Sequence, residues 1–145
     1  MTDNTQPAQR HQRPAGVDTA TVAAVGKLSE ALETTERARG HLYSFHQLTG
    51  GADLALGAAV DMLREAGHVH LAEKLATELV GRNVLPGRWT FQIVEEYDEG
   101  YYAQFRRIER EIRGELVDGR THLYEAEMKE ARRTHGHPGH EATPE

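Results

Sequence analysis

Glu65-Ala66-Gly67-His68 sets a carboxylate and an imidazole three residues apart, the spacing at which one turn of helix aims two ligands at a single metal ion. A bundle that holds two ions needs a second such pair and two further glutamates in the same core, because each ion takes several anionic oxygens and an imidazole. This chain has one pair. At about 100° per residue, His68 falls at the edge of the stripe Leu63, Leu71, Leu75, Glu65 lies further towards water, and His70 is nearly opposite His68. The pair reads as a boundary histidine beside a solvated glutamate, and no metal is expected on it.

In Glu65 and His68 alone the chain resembles the ferritin-like bundles. The resemblance covers one helix. What it implies is the alternative reading: a metal-binding helical bundle of ferritin-like or hemerythrin-like type, holding iron, manganese or zinc through Glu65, His68, Asp98 and His46. Against it, Glu95, Glu96 and Glu99 occupy outer faces if Tyr97 and Tyr101 point inward, which leaves Asp98 alone beside the core stripe.

His46 lies four residues after Leu42 on the apolar stripe and is the histidine expected to be buried. If the chain turns at Thr49-Gly50-Gly51, Asp53 comes within reach and accepts the imidazole N–H, so His46 and Asp53 are expected to form a buried polar pair. No serine or threonine is spaced to complete a nucleophilic triad, and no catalytic residue is assigned.

The aromatics give a different lead. Tyr97, Tyr101 and Phe105 are core by spacing, whereas Phe91 and Tyr102 share a face that looks outward unless another chain covers it. With Leu123, on an amphipathic stretch beyond Gly119, they are the expected interface residues. A small-ligand pocket at Trp89 and Tyr97 is a further possibility.

These side chains have to be positioned by helices. Asp18-Thr19 caps a first one, whose apolar residues recur at three- and four-residue steps up to the Thr49-Gly50-Gly51 stop. A second follows from Ala52-Asp53 to about Gly81, antiparallel to the first because the connection is so short. Arg82 to Gly87 is a turn. From Trp89 the stripe Ile93, Tyr97, Tyr101, Phe105, Ile108, Ile112, Leu116 starts a long third helix, continuous or bent at Gly114 to Gly119, with a split into a fourth as the alternative. The expected architecture is all-α, an antiparallel bundle of three long helices over residues 18–134. A disordered tail is expected at 1–17, and a disordered His-rich tail at 135–145.

Composition agrees with that class and narrows the function. Aromatics make up 6 % and charged residues 28 % of the 145 residues, which suits a solvated helical protein better than a sandwich. With no cysteine, thiolate metal sites and thiol nucleophiles are excluded and a reducing compartment is suited. A net charge of −6, with arginines interleaved among glutamates, argues against nucleic acid. No apolar run reaches the roughly 18 residues of a membrane span, and the first residues carry no signal peptide, so a cytoplasmic protein is expected. The reading these residues support is a non-enzymatic, self-associating helical protein that binds a protein partner.

Overall fold

The computed structural model describes residues 5–143. The chain divides into two compact units, Thr35–Tyr102 and Met1–Thr34 with Ala103–Glu145. It is all-α, and no strand occurs among the described residues. The helices are α1 (Thr19–Glu65), α2 (Val69–Glu78), α3 (Thr90–Tyr97), α4 (Ala103–Val117) and α5 (Leu123–Arg132), with a π-helical turn at Asp98–Tyr102 joining α3 to α4 without a break.

The first expectation to fall is the turn at Thr49-Gly50-Gly51. α1 is a single helix of 47 residues that passes straight through it, and neither Gly50 nor Gly51 has a positive φ. The reason lies in the period. Val25, Leu32, Arg39, His46, Asp53 and Val60, with Leu28, Thr35, Leu42, Thr49, Leu56 and Leu63, form one seven-residue repeat whose members are all buried or half-buried. The phase does not change at the glycines. Two glycines cost about 1 kcal/mol each in a helix, which a continuously covered face offsets.

α1 starts where the sequence indicates, with the Thr21 N–H donating to Asp18 Oδ1 at 2.8 Å. It stops at Gly67, whose φ of +89° only glycine adopts without strain. There the His68 N–H donates to Leu63 O at 2.8 Å and the Gly67 N–H to Arg64 O at 3.0 Å, the paired bonds of a Schellman stop. The expected second helix is thus the end of α1 plus a separate α2, which buries Ala72.

Between α2 and α3 the chain turns at Leu85-Pro86-Gly87-Arg88, with the Arg88 N–H donating to Leu85 O at 3.0 Å and Gly87 at φ +73°, as a Pro-Gly type II turn requires. α3 opens with the Trp89 N–H held by Gln92 Oε1 at 2.8 Å.

The π turn decides which side of α4 faces inward. Such a turn holds one residue more than an α turn, so three of the expected inward residues give way to the next in sequence, while Phe105 and Ile112 stay half-buried. Tyr102 is 8 % exposed and Tyr101 60 %; Glu109 is buried and Ile108 is not; Val117 is 0 % exposed and Leu116 45 %. Glu109 is accommodated by Arg113 Nε at 2.9 Å and Ser29 Oγ at 3.2 Å.

α4 ends at Val117, since Asp118 and Gly119 both take positive φ, 55° and 70°. The chain therefore splits here, where continuity was favoured. α5 returns Leu123 to a core of Val22, Val25 and Val117, with Val17 packed against it. It lies close to α1: a Cβ on Gly26 would meet Tyr124 Cβ at 3.0 Å.

Of the two expected tails, residues 1–4 and 144–145 lie outside the described residues. Within the rest, His11 Nδ1 donates to Thr121 O at 2.6 Å. The Arg13 guanidinium grips Glu127 through Nε at 3.0 Å and Nη2 at 3.2 Å.

Candidate functional site

The structure separates the four residues of the metal-binding alternative. Glu65 ends α1 and His68 begins α2, with the Gly67 stop between them, so the two do not share a helical turn and cannot be aimed as one. Asp98 is committed to Arg39. His46 Nδ1 meets Thr90 Oγ1 at 2.7 Å.

His46 and Asp53 do not pair. In a continuous helix seven residues are about 10 Å apart along the axis, beyond the reach of the two side chains. Asp53 Oδ1 instead accepts the Gly81 N–H at 2.8 Å, at the end of α2. Both residues hold the returning chain against α1, each through a different partner.

A polar cluster of the Thr35–Tyr102 unit gathers at the π turn. Arg39 donates through Nε to Asp98 Oδ1 at 2.6 Å and through Nη2 to Asp98 Oδ2 at 3.0 Å, a two-pronged pairing. Its guanidinium lies over the ring of Tyr43 at 5.2 Å and that of Tyr102 at 4.9 Å. The Tyr102 hydroxyl donates to Glu36 Oε1, and the Tyr97 and Tyr102 rings stack at 6.5 Å. Arg39 holds the Asp98 carboxyl below the usual carboxylate range, first by its hydrogen bond and then by its charge, against the desolvation that opposes it. Every charge here has a partner, so the cluster is built to fix one register of the returning chain on α1.

The interface expected at Phe91, Tyr102 and Leu123 is revised by these contacts. Tyr102 and Leu123 are buried by the chain itself, because the π turn rotates the first inward and the split at Gly119 folds the second back. Phe91 remains exposed, edge-on to Trp89 at 5.3 Å. Trp89 and Thr90 border an open cleft of about 570 Å³ with Asp53, Leu56, Asn83 and Val84. Tyr97 is not part of it.

What the sequence reading missed is the outer face of α1. Leu48 is 73 % exposed, Leu54 79 % and Met62 68 %, while the covered seam runs along the opposite side. The signal was in the sequence: once one helix is drawn through Gly50-Gly51, these leucines and the methionine fall outside its seven-residue seam.

In the other unit, Glu33, His122 and Glu125 bring ligand atoms within 4.8 Å of one another, the one such group among the described residues. Two of its three residues are exposed, and His122 lies 4.0 Å from Glu125. Among the described residues no helix is long and apolar enough to cross a membrane. No family model, curated protein or solved structure matches the chain.

Proposed function

We propose that this chain is a non-enzymatic, self-associating helical protein of the cytoplasm that acts through contact with other proteins. The observation that carries the reading is the exposure of large apolar side chains on the Thr35–Tyr102 unit, among them Leu48, Leu54, Met62 and Trp89. Scattered exposed leucines need no explanation, but a contiguous apolar face of a few hundred Å² or more is characteristic of a binding surface. In this unit a long helix is covered along one seam, and burying the remainder takes another chain.

Mass action supplies a test. A protein folded as an oligomer melts at a temperature that rises with its concentration. A melting temperature that climbs by several degrees between about 1 and 100 µM supports the reading, and one independent of concentration counts against it.

A second reading, binding of a divalent transition metal, draws on the Glu33–His122–Glu125 grouping, since one imidazole and two carboxylates suit zinc, iron or manganese. Zinc titration of the protein against its His122→Ala variant tests it: equal uptake by the two removes the reading.

A further inference from the structure

Glu33 on α1 and Glu125 on α5 bring carboxylate oxygens within 4.8 Å of each other and of an imidazole nitrogen of His122. All three residues belong to the unit of Met1–Thr34 and Ala103–Glu145. Like charges at that separation repel unless a cation lies between them. A protonated His122, 4.0 Å from Glu125, would serve, and so would a divalent ion, whose charge two carboxylates balance. Ligand atoms about 2.1 Å from a tetrahedral ion stand roughly 3–3.5 Å apart, so closing the group on one takes about an ångström of side-chain movement.

Three ligands leave a fourth position, and a second histidine stands beside it. His11 lies in the 3₁₀ turn Gln9–His11 that precedes α1, in the same unit, with its ring centre 5.9 Å from that of His122. Two imidazoles on one tetrahedral zinc, each with its nitrogen at about 2.1 Å, have ring centres roughly 5 Å apart. His11, His122 and Glu125 border one cleft of about 280 Å³. Lys129 and Glu130 border it too; Glu130 is taken by Arg133 at 2.6 Å, and Lys129 is exposed.

The protonation of the His11 ring follows from its neighbours. Its Nδ1 lies 2.6 Å from Thr121 O, and a carbonyl only accepts, so Nδ1 carries the proton and Nε2 the lone pair. Nε2 accepts from Arg10 Nε at 3.2 Å, a contact with an exposed side chain that an ion displaces by turning the arginine out to water. A ligating histidine has this arrangement: the nitrogen away from the metal donates to a backbone carbonyl, which fixes the tautomer and the ring. The carbonyl in question belongs to the residue before His122, so both rings are tied to adjacent positions of one connection. His122 itself caps α5 at φ 57° with no side-chain cap hydrogen bond. A non-glycine residue adopts that backbone at a cost, and its imidazole gives the helix start nothing in return.

We infer that His11 is the fourth ligand of the Glu33–His122–Glu125 group, and that the four hold zinc between the segment before α1, α1 itself and α5. Two imidazoles and two carboxylates in a tetrahedral set suit zinc. The inference rests on the metal-binding reading and adds the fourth ligand and the coordination number.

The tail histidines His135, His137 and His140 bind transition ions unaided, so the reference for the test is the full-length protein carrying His135→Ala, His137→Ala and His140→Ala. Titrated with zinc in a calorimeter, it is expected to take up one ion per chain, and cobalt(II) in its place is expected to give the visible absorption of a four-coordinate site. His11→Asn keeps a donor for the Thr121 carbonyl and removes the ligand nitrogen. Added to the reference, it is expected to leave the melting temperature of the metal-free protein unchanged, to weaken zinc binding roughly tenfold or more and to alter the cobalt spectrum. His122→Ala and Glu33→Gln are expected to weaken zinc binding at least as much. Zinc held as tightly by His11→Asn as by the reference, but lost in His122→Ala, overturns the fourth ligand and leaves the metal-binding reading standing. A reference protein that takes up no zinc, or whose uptake none of these changes affects, removes both, and the group is then a protonated His122 held between two carboxylates.

Discussion

Arg39 and Asp98, 59 residues apart in sequence, meet side-on through two hydrogen bonds of 2.6 and 3.0 Å, one residue from the middle of α1 and the other from the first position of the π turn. Their pairing fixes where the returning chain lies along α1, and Tyr102 stacks over the guanidinium that makes it. Asp98→Asn removes the charge and keeps the shape. It is expected to lower the melting temperature by about 2–4 °C, the shift a domain of about this size shows for the loss of one modest interaction. An unchanged melting curve would show that the pair does not hold the register.

The same carboxyl gives a pH dependence with a definite sign. Arg39 depresses the Asp98 pKa in the folded chain, while the unfolded value is about 3.9. The stabilisation is therefore fully present well above pH 4 and is lost as pH falls through the folded pKa. Glu130, depressed by Arg133, adds to the acid limb in the same direction. Chemical denaturation from about pH 7 to pH 2 is expected to show the wild-type advantage over Asp98→Asn shrinking on the acid side only; a constant difference would contradict the assignment.

Gly50 and Gly67 respond in opposite ways to alanine. Gly50 is helical with open space at its Cβ, so Gly50→Ala is expected to add about 1 kcal/mol. Gly67 sits at φ +89°, so Gly67→Ala is expected to cost about 1 kcal/mol or more. If the chain turned at Thr49-Gly50-Gly51, Gly50→Ala would destabilise instead. Equilibrium urea unfolding distinguishes the two outcomes.

The rotation imposed by the π turn is checked by neighbours. Val117→Ala, at a fully buried position, is expected to cost about 2 kcal/mol, and Leu116→Ala, half-exposed one residue earlier, well under 1 kcal/mol. The reverse ranking would restore the stripe expected without the π turn.

His68→Gln is expected to leave stability within about 0.5 kcal/mol, since the residue is an exposed helix cap making no side-chain cap bond. Metal analysis before and after the change is expected to give the same content. Loss of a stoichiometric metal would revive the Glu65 and His68 pairing.

The helical class, the Asp18 cap and the Pro86-Gly87 turn were legible because each rests on local chemistry: periodicity, a capping oxygen, a fixed φ. The Gly50-Gly51 helix was legible in principle, since the seven-residue phase runs through it, but a glycine pair outweighs phase when read residue by residue. Gly67 looks like any helix glycine in sequence, and only its φ marks it as the stop. The π turn leaves no pattern of its own in Asp98 to Tyr102, and one inserted step moves the inward face from Tyr101, Ile108 and Leu116 to Tyr102, Glu109 and Val117. The candidate sites followed those errors. Pairing His46 with Asp53 needed a turn that does not form, and an interface through Tyr102 needed the unrotated phase.

Self-association is the centre of the account, and sedimentation equilibrium tests it most directly. At micromolar concentration the protein is expected to sediment as a species at least twice the 16.2 kDa chain mass, with mass falling on dilution and in Leu48→Glu. A single species of 16.2 kDa across that range, with the fold intact by circular dichroism, would contradict it.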